Sequence, residues 1–385
     1  MDDLTVHSAR LIDDGRVVEN AWVRWAEGRV SETGVGESWR HSPADDAVDA
    51  TAIAGPGAVL SPGFVDIHGH GGGGFSYDDG VEEIRAARRA HRAHGTTSAV
   101  VSLVSARLDV LERRVAVVAG LAEVDHDVLG SHLEGPFLSL ARRGAHDPEA
   151  LRPPEPGAVA ALLAAGRGTV RQVTIAPELP DALAAIEMIV AAGAAAAVGH
   201  TEADAAVARR AFDAGATILT HAFNAMPGLH HREPGPIGAA VADARVTLEL
   251  IADGTHVHPD VLRIGLAAAT GRIALVTDAM AAAAASDASY TLGSYEVEVR
   301  GGVARLAGTD VLAGSTLTQD AAVRRAVAAG MPLAEALRAA TAVPADAIGV
   351  GHTVGRLKPA LRADAVLLDA ALRVRAVWAS GVRAV

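Results

Sequence analysis

Histidine and carboxylate residues stand at the ends of apolar stretches along this chain. Glu134 follows the apolar stretch 128–133, and Gly135-Pro136 comes directly after it. The Gly-Pro pair ends the strand and leaves Glu134 at the carboxyl end of the strand. There the Glu134 side chain could serve as an oxygen ligand for a divalent cation. A single Glu in such a place often caps a turn or pairs with a nearby base instead, so a metal site is indicated only if other strand ends carry ligands as well.

Five further predicted strands also end in His or Asp. If the strands are parallel and close into a barrel, their carboxyl ends meet at one mouth, where active sites of that architecture lie. Imidazoles and carboxylates without any thiolate are typical of a hydrolytic metal site. One His alone usually has a structural explanation, whereas repetition at six strand ends favours a metal centre. The residues are His68 and His70 on the first strand, then His200, His221, His256 and Asp278 on the fifth to the eighth.

The glycine run after the first strand admits a second interpretation. Residues 69–74, GHGGGG, formally match the G-x-G-x-x-G pattern of dinucleotide-binding loops. The second residue of the run is His70, however, and His68 and His70 point the same way on an extended segment. We therefore favour a role for the glycines in letting the backbone pass close to a metal and substrate.

Basic residues near the predicted mouth are candidates for phosphate binding. Arg142 and Arg143 lie in the third loop, and Arg232 lies in the sixth. The planar guanidinium of Arg232 suits a phosphate, with His256 as a second contact. The competing interpretation pairs Arg232 with Glu233 or with another surface acid. The other histidines considered are interpreted as surface or structural residues: His7, His41, His91, His126, His258 and His352.

The elements that would position these residues alternate between apolar strands and helices from residue 59 onward. About eight such units, with strands apolar on both faces, predict an α/β fold of the (β/α)8 TIM-barrel type. A polar hairpin at 290–307 interrupts the eighth unit. The predicted strands are 59–67, 96–104, 128–133, 170–176, 194–198, 216–220, 246–251 and 273–277, and predicted helices include 82–94, 108–121, 157–165, 181–192, 203–214, 259–269, 318–329, 333–340 and 344–348.

The two chain ends predict a second, smaller unit. Residues 4–58 have the pattern of short strands, among them 48–54, punctuated by glycines, and 365–368 and 374–382 return to strand. The simplest closure joins both ends in a small β-sandwich domain. We therefore predict a β domain of residues 1–58 and 350–385 beside a catalytic barrel of residues 59–349.

Composition excludes several classes of protein. The 385 residues are 50% hydrophobic but only 3% aromatic, which indicates a large core of small and branched aliphatic side chains. A formal net charge of −12 argues against a general nucleic-acid binder. Without Cys, any metal must be held by His and carboxylates. The acidic start, Met1-Asp2-Asp3-Leu4, is no signal peptide, and the alanine-rich run 281–285 is too short to span a membrane, so we expect a cytoplasmic protein.

Longer phrases along the whole chain resemble the amidohydrolase superfamily and, within it, the N-acetylglucosamine-6-phosphate deacetylase family. A lone HxH is a weak signal, but HLEGPF, HAFNAM with REPG, and TDAM in this order are highly specific. The phrases are PGFVDIHGHGGGG (62–74), HLEGPFLS with RRGAHDP (132–148), APE (176–178), VGHTEAD (198–204), THAFNAMPGLHHREPG (220–235), IADGTHVHPD (251–260), LVTDAM (275–280) and LAGSTLT (312–318).

The resemblance implies a set of metal ligands. Glu134, His200 and His221 would hold the principal divalent cation. Some members of the family carry a His-x-His pair on the first strand and can hold a second ion, and His68 and His70 are both present here. Zinc is favoured, with iron, manganese and cobalt as alternatives, because sites of this type accept all four. One or two ions per subunit are therefore expected.

The resemblance also implies a reaction, the hydrolysis of N-acetyl-D-glucosamine 6-phosphate to D-glucosamine 6-phosphate and acetate, in amino-sugar catabolism or cell-wall recycling. Asp278 would take the proton of a water whose pKa the metal lowers, and would then protonate the leaving amine. His146 would help to stabilise the tetrahedral oxyanion. The family is typically homodimeric, with the phosphate end of the site near the subunit interface. The sugar phosphate would be contacted by Ala145, His146, Asn224, Ala225, Arg232, His256, Leu312, Ala313 and Gly314.

Other activities of the same fold remain as alternatives. A deacetylase for N-acetylgalactosamine 6-phosphate would carry nearly the same phrases. A cyclic amidase or a deaminase is another alternative. The REPG loop and HLEGPF argue against a cyclic amidase, as does the absence of a strand-end Lys that could bridge two metals. A non-catalytic barrel that acts as an assembly protein would be expected to lose Asp278 and the ligands, which are all present.

Overall fold

A computed structural model describes residues 3–41 and 44–385, so Met1 and Asp2 of the predicted amino-terminal segment lie outside the described part. Eight parallel strands in sequential order form the central barrel within these residues. The first and last strands meet through a backbone hydrogen bond of 2.8 Å from Asp278 N to His68 O. The predicted TIM-type barrel is confirmed. Its strands are Phe64–Asp66, Thr96–Val104, Val128–Glu134, Val170–Ile175, Ala195–Val198, Ile218–Leu219, Thr247–Ile251 and Ile273–Val276.

A helix follows each barrel strand and covers the barrel from outside. The helix after the sixth strand, Gly235–Ala242, was not predicted, because its glycines and proline hide a helical pattern. Two more helices, Leu333–Ala339 and Ala342–Ala347, precede the carboxyl-terminal strands. The eight covering helices are Val81–Ala93, Leu108–Ala122, Pro156–Ala165, Ala182–Ala191, Ala205–Asp213, Gly235–Ala242, Pro259–Ala268 and Gln319–Ala328.

The two chain ends meet beside the barrel, as the sequence predicts, and their strands form one eight-stranded sheet. The strand Val59–Pro62 belongs to this sheet, where it runs parallel to Leu4–Asp13 and antiparallel to Ala365–Leu368. The prediction that 59–67 is one barrel strand is therefore wrong. The chain changes sheet at Gly63, where a Cβ would lie 2.1 Å from Thr97 Oγ1. The other strands of the sheet are Arg16–Ala26, Arg29–Val35, Asp46–Asp49, Val374–Ala379 and Val382–Arg383.

The prediction that 48–54 is one strand is also wrong. Strand structure ends at Asp49, and a short helix, Ala50–Ala54, follows it. The Asp49 carboxylate accepts a hydrogen bond of 2.8 Å from the backbone N–H of Thr51, which caps this helix. The division of the chain into residues 1–58 with 350–385 and residues 59–349 stays a prediction about folding units.

Two small sheets lie near the carboxyl end of the barrel. The glycine run forms a hairpin in which Gly71–Gly72 pairs with Phe75–Ser76, and the next α-helix begins only at Val81. This is not the strand–turn–helix arrangement of a dinucleotide-binding loop. The predicted polar hairpin is a three-stranded sheet of Ser289–Leu292, Tyr295–Arg300 and Val303–Leu306. None of the helices within residues 3–41 and 44–385 combines the length and the apolar composition of a membrane-spanning segment.

Candidate active site

The carboxyl ends of the barrel strands surround a cavity of about 350 Å³. Most of the predicted site residues line it. His68 lies fully buried beside the lining residues, and Ala313 is buried between Leu312 and Gly314 without lining the cavity. Arg232 is exposed and lies outside the lining. The predicted residues that line the cavity are His70, Glu134, Ala145, His146, His200, His221, Asn224, Ala225, His256, Asp278, Leu312 and Gly314.

Three of the strand ends adopt left-handed backbone conformations. The φ angles are +47° at His200, +26° at His221 and +48° at Asp278. Non-glycine residues in this region cost on the order of 1–3 kcal/mol each and persist only where the surrounding structure holds them. Here the turn at the strand tip directs each side chain into the cavity instead of continuing the alternation of the strand. Strain of this kind is commonly found at functional sites.

The Glu134 carboxylate is at the centre of the site. Its Oε1 lies 3.1 Å from His200 Nε2, and its Oε2 lies 3.2 Å from His70 Nε2. Asp278 Oδ1 is also 3.2 Å from His70 Nε2. The imidazoles within 3.3 Å of Glu134 are those of His68, His70, His146, His200 and His221.

Two of these histidines are held in opposite tautomers by backbone groups. His200 Nδ1 lies 2.8 Å from the carbonyl oxygen of Arg142, so Nδ1 carries the proton and Nε2 offers a lone pair. His146 Nδ1 accepts from the backbone N–H of Ser105 at 3.3 Å, so the neutral ring carries its proton on Nε2. His200 can therefore bind a cation through Nε2, whereas His146 presents a hydrogen-bond donor to the cavity.

One set of donor atoms fits a divalent cation closely. His200 Nε2 and His221 Nε2 are 2.9 Å apart, and Glu134 Oε1 is 3.1 Å from the first and 3.2 Å from the second. Donors bound tetrahedrally to one zinc at about 2.0–2.1 Å lie roughly 3.3 Å from each other. Two imidazole nitrogens and a carboxylate oxygen are also the ligand types of a hydrolytic metal.

A second set of donor atoms also lies against Glu134. His68 Nε2, His70 Nε2 and Asp278 Oδ1 form it, with Asp278 Oδ1 at 3.6 Å and 3.2 Å from the two nitrogens. His68 Nε2 is buried and has no hydrogen-bond partner among the described residues. An orphaned nitrogen beside two carboxylates is suited to a metal ligand.

The site holds its two carboxylates ionised. Burial raises the pKa of Glu134, but His68 and His146 outweigh burial and hold that pKa well below its usual range. Burial likewise raises the pKa of Asp278, but His68 and His70 lower it to about 2. Burial lowers the pKa of His70, yet Asp278 and Glu134 raise it to about 9. Without a cation, the histidines supply the positive charge that the carboxylates require.

Burial keeps other imidazoles of the site neutral. The pKa values of His146 and His221 are lowered, chiefly by burial, although hydrogen bonding to Glu134 opposes the shift. The neutral form is the one that binds metals, and in His146 it is the form whose tautomer the Ser105 contact selects.

Sequence reasoning missed a group of polar residues in the interior of the barrel. Glu249, on the seventh strand, contacts both His68 and the backbone of His221. A charged residue within the apolar stretch 246–251 was the available signal. The others are Ser102, His132, Gln172, Thr174 and Thr220, all buried and linked by side-chain hydrogen bonds.

The Ala-Pro-Glu motif at 176–178 stabilises the loop that follows the fifth strand. Glu178 accepts a hydrogen bond of 2.5 Å from Thr201 Oγ1 and another of 2.6 Å from the backbone N–H of Glu202. Glu202 in turn forms an ion pair with Arg142. His200 is thus fixed from both sides of its loop, through Thr201 and through the Arg142 carbonyl.

The chain is similar to known proteins in sequence and in structure. A model of the amidohydrolase family matches residues 59–383. The N-acetylgalactosamine-6-phosphate deacetylase of Escherichia coli O157:H7 is 42% identical over 328 residues, which are 84% of this chain and 87% of that protein. The human N-acetylglucosamine-6-phosphate deacetylase is 37% identical over 390 residues, which are 97% of this chain and 93% of that protein.

A solved structure extends the likeness over the full length. A variant of the N-acetyl-D-glucosamine-6-phosphate deacetylase from Mycobacterium smegmatis, in complex with N-acetyl-D-glucosamine-6-phosphate, is 43% identical, with a TM-score of 0.94 and 100% of both chains covered. The resemblance inferred from the sequence phrases is confirmed. The chain belongs to the amidohydrolase family of metal-dependent hydrolases, within the group of N-acetylhexosamine-6-phosphate deacetylases.

Proposed function

We propose that this enzyme hydrolyses N-acetyl-D-glucosamine 6-phosphate to D-glucosamine 6-phosphate and acetate. The observation that carries the proposal is the convergence of five imidazoles on Glu134, beside Asp278, in a cavity of about 350 Å³ at the carboxyl end of the barrel. A cavity of that size accommodates a small ligand. The full-length likeness to a deacetylase structure in complex with this sugar phosphate supports the choice of substrate.

The metal would be held mainly by Glu134, His200 and His221, with His68 and His70 available for a second ion. Zinc is our first choice, with iron, manganese or cobalt as alternatives, at one or two ions per subunit. When bound, the cation supplies Lewis acidity that lowers the pKa of a water molecule and polarises the acetamide carbonyl. The close spacing of the Glu134, His200 and His221 donor atoms supports this assignment.

Asp278 is our proposed general base and acid. Its pKa of about 2 keeps the carboxylate ionised at neutral pH, which is the form that can accept a proton from the attacking water. The same carboxyl group would then deliver that proton to the departing amine nitrogen, so the amine leaves as a neutral group. The strand-tip backbone at φ +48° supports this role, because it directs the Asp278 side chain towards the cavity.

His146 is our proposed donor to the oxyanion. The backbone N–H of Ser105 occupies Nδ1, so Nε2 carries a proton that can be donated to the carbonyl oxygen as negative charge develops on it. A ligand to the metal would need a bare Nε2 instead, which is the state of His200. The tautomers therefore favour His146 as a donor and His200 as a ligand.

The sugar phosphate would be held by the remaining lining residues. His256 donates Nδ1–H to Asp253 Oδ2 at 2.6 Å, which leaves Nε2 for the ligand. Asn224 with Ala225, Ala145, and the segment 312–314 would contact the sugar. Arg232 is exposed outside the cavity, so a role in phosphate binding requires movement of its loop or a second subunit.

We further propose that the enzyme is a homodimer and acts in the cytoplasm. The exposed loop that carries Leu229, His230, His231 and Arg232 supports an interface near the phosphate end of the site. Light scattering on the full chain would give twice the mass of the chain if the dimer forms.

N-acetylgalactosamine 6-phosphate is a second candidate substrate. The relative from Escherichia coli O157:H7 that carries this activity in its name is 42% identical to the chain, about as similar as the N-acetyl-D-glucosamine-6-phosphate deacetylase from Mycobacterium smegmatis at 43%. The two sugars differ only in the orientation of one hydroxyl group, so side-by-side assays must decide between them.

The test measures acetate release from both sugar phosphates and from unphosphorylated N-acetylglucosamine, with the bound metal counted. We expect turnover of N-acetylglucosamine 6-phosphate and a loss of about 10²–10⁴-fold in kcat in Asp278→Asn, since that variant cannot accept the proton. Equal turnover of the unphosphorylated sugar would contradict the proposed phosphate contacts. Preference for the galacto epimer would transfer the proposal to the second substrate.

A further inference from the structure

Glu249 is a charged residue in a place that usually holds an apolar side chain. It lies on the seventh barrel strand between Leu248 and Leu250, and its side chain has no solvent exposure. Glu249 does not line the cavity. A buried carboxylate is costly unless hydrogen bonds or opposite charges satisfy it, so its partners indicate what it does.

Three donors surround the Glu249 carboxylate, and two of them belong to proposed metal ligands. Oε2 lies 3.0 Å from His68 Nδ1 and accepts from the backbone N–H of His221 at 3.1 Å. Oε1 accepts from Gln172 Nε2 at 2.7 Å. Across residues 3–41 and 44–385, no Lys or Arg forms an ion pair with Glu249.

The contact with His68 determines which nitrogen of that ring can face a cation. Both oxygens of Glu249 already accept hydrogen bonds, Oε1 from Gln172 and Oε2 from the backbone of His221. The contact between Oε2 and His68 Nδ1 is therefore one in which Nδ1 carries the proton and donates it. The neutral ring then has its lone pair on Nε2. That nitrogen is the orphaned atom 3.2 Å from Glu134 Oε1 and 3.6 Å from Asp278 Oδ1.

We propose that Glu249 is a positioning residue that fixes His68 as an Nε2 ligand and holds the backbone of His221 in the same metal centre. One carboxylate oxygen thereby links the first strand to the sixth. A carboxylate on the far nitrogen of a metal-binding His orients the ring, fixes its tautomer and raises its basicity. The inference rests on the proposed metal binding by His68.

The residues behind Glu249 support its orientation. Gln172 lies 3.5 Å from His132 Nε2, and His132 is held by Ser102 Oγ at 2.9 Å and by Thr174 Oγ1 at 2.8 Å. All four side chains are buried within the barrel. A polar layer at this depth carries a desolvation cost that an apolar layer would avoid, and a role in holding ligands accounts for it.

The test measures zinc binding directly. Metal-free protein is titrated with Zn²⁺ in competition with a chromogenic chelator, and the bound metal is counted. In Glu249→Gln the amide cannot accept from every neighbour that the carboxylate serves, so we expect zinc affinity to fall about 10–100-fold. If Glu249 acts mainly through His68, a double variant that carries both Glu249→Gln and His68→Asn should bind zinc only slightly more weakly than His68→Asn alone.

Asp364→Asn is the matched control. Asp364 is also a buried carboxylate that accepts from a backbone N–H, that of Ser380 at 2.8 Å, and its charge is paired with Arg362 outside the site. We expect this variant to lose stability but to keep its zinc affinity. The melting temperature of each metal-free variant separates loss of the fold from loss of the metal.

If Glu249→Gln does not fold, Glu249→Asp provides the second variant. It keeps the charge and retracts the carboxylate by one methylene, so the same loss of zinc affinity is expected. Zinc binding equal to that of the unmodified protein in a folded Glu249 variant would overturn the proposal. A protein that releases no acetate while Glu249→Gln weakens zinc binding would reject the proposed function and leave this inference standing.

Discussion

Two histidines of the site, His146 and His200, differ in the backbone group that contacts Nδ1. A carbonyl oxygen accepts from His200, and an N–H donates to His146. Because the two nitrogens of a neutral imidazole must divide the roles of donor and acceptor, Nε2 is a bare nitrogen in His200 and a donor in His146. Identical side chains therefore enter the same cavity with opposite functions.

His256 has the electrostatics of a cationic phosphate contact. Burial lowers the pKa of His256, but Asp253 and Asp278 outweigh burial and raise it above its ordinary value. A raised pKa means that the ring keeps its charge to a higher pH than an ordinary imidazole does, and loses it as the pH rises through the folded-state pKa. We expect the KM for the sugar phosphate to rise about 10–100-fold over that range, since a charge-assisted hydrogen bond is lost.

KM and kcat measured from pH 7 to pH 10 check this prediction. His256→Asn should have a raised KM throughout, with little further change with pH. If KM in His256→Asn rises with pH as steeply as in the unmodified enzyme, another group is titrating and the role of His256 is wrong.

At the scale of the elements, the helix Val81–Ala93 ends against the first barrel strand. Gly95 follows this helix with φ +90°, and a Cβ there would lie 2.8 Å from the buried Phe64 ring. Gly330 follows the helix Gln319–Ala328 in the same way with φ +102°, but nothing lies within 4 Å of its Cβ position.

The comparison of Gly95→Ala with Gly330→Ala separates backbone strain from packing. Both variants lose about 1 kcal/mol from the left-handed conformation. Gly95→Ala should lose about 1–3 kcal/mol more, because the new methyl group displaces Phe64 in a close-packed core. Thermal and denaturant unfolding of the two variants measure the difference. Equal losses would mean that the Phe64 contact relaxes without cost.

At the scale of the whole molecule, the chain ends meet beside the barrel. Asp13 ends the first strand of the end sheet and Asp14 follows it, and both contact the segment 356–358. Asp13 Oδ2 accepts from the backbone N–H of Leu357 at 3.2 Å, and Asp14 pairs with Arg356 and Lys358. Burial raises the pKa of Asp13 to about 6, whereas Arg356 and Lys358 overcome burial and lower the pKa of Asp14 to about 2.

The two adjacent carboxylates should act on stability with opposite signs. Asp13 binds its proton more tightly in the folded state, so stability is lost as the pH rises from about 4 to 6. We expect Asp13→Asn to be more stable than the unmodified protein by about 1–3 kcal/mol above pH 6, with the gain vanishing below about pH 4. Melting temperatures of the metal-free proteins at pH 8 and pH 4 test this.

Asp14→Asn is the control with the reverse sign. The depressed pKa of Asp14 contributes stability above about pH 4 that is lost as the pH falls towards 2, so its removal should destabilise the protein at pH 8. A gain in Asp13→Asn that is equal at pH 8 and pH 4 would show that shape, and not charge, causes the effect.

The sequence by itself determined the barrel, the deacetylase family and the identity of the strand-end residues. Alternating apolar strands and helices are local patterns, and Glu134 or Asp278 is recognisable because a strand visibly stops at it. The helix Gly235–Ala242 was not predicted, and the strand 59–67 was assigned to the wrong sheet. Both predictions failed for a related reason. Their local composition is ambiguous, and pairing with distant strands or packing against the barrel resolved it.

Only the tertiary structure decided how the site residues share their roles. Glu249 and His68 are 181 positions apart, and their contact depends on the register of the closed barrel. The opposite tautomers of His146 and His200 depend on single backbone groups, and Arg232 lies outside the cavity although its phrase predicts a phosphate contact. Sequence patterns record which residues end a strand. Packing in three dimensions then determines which atoms come within hydrogen-bonding distance, because those distances depend on the whole chain at once.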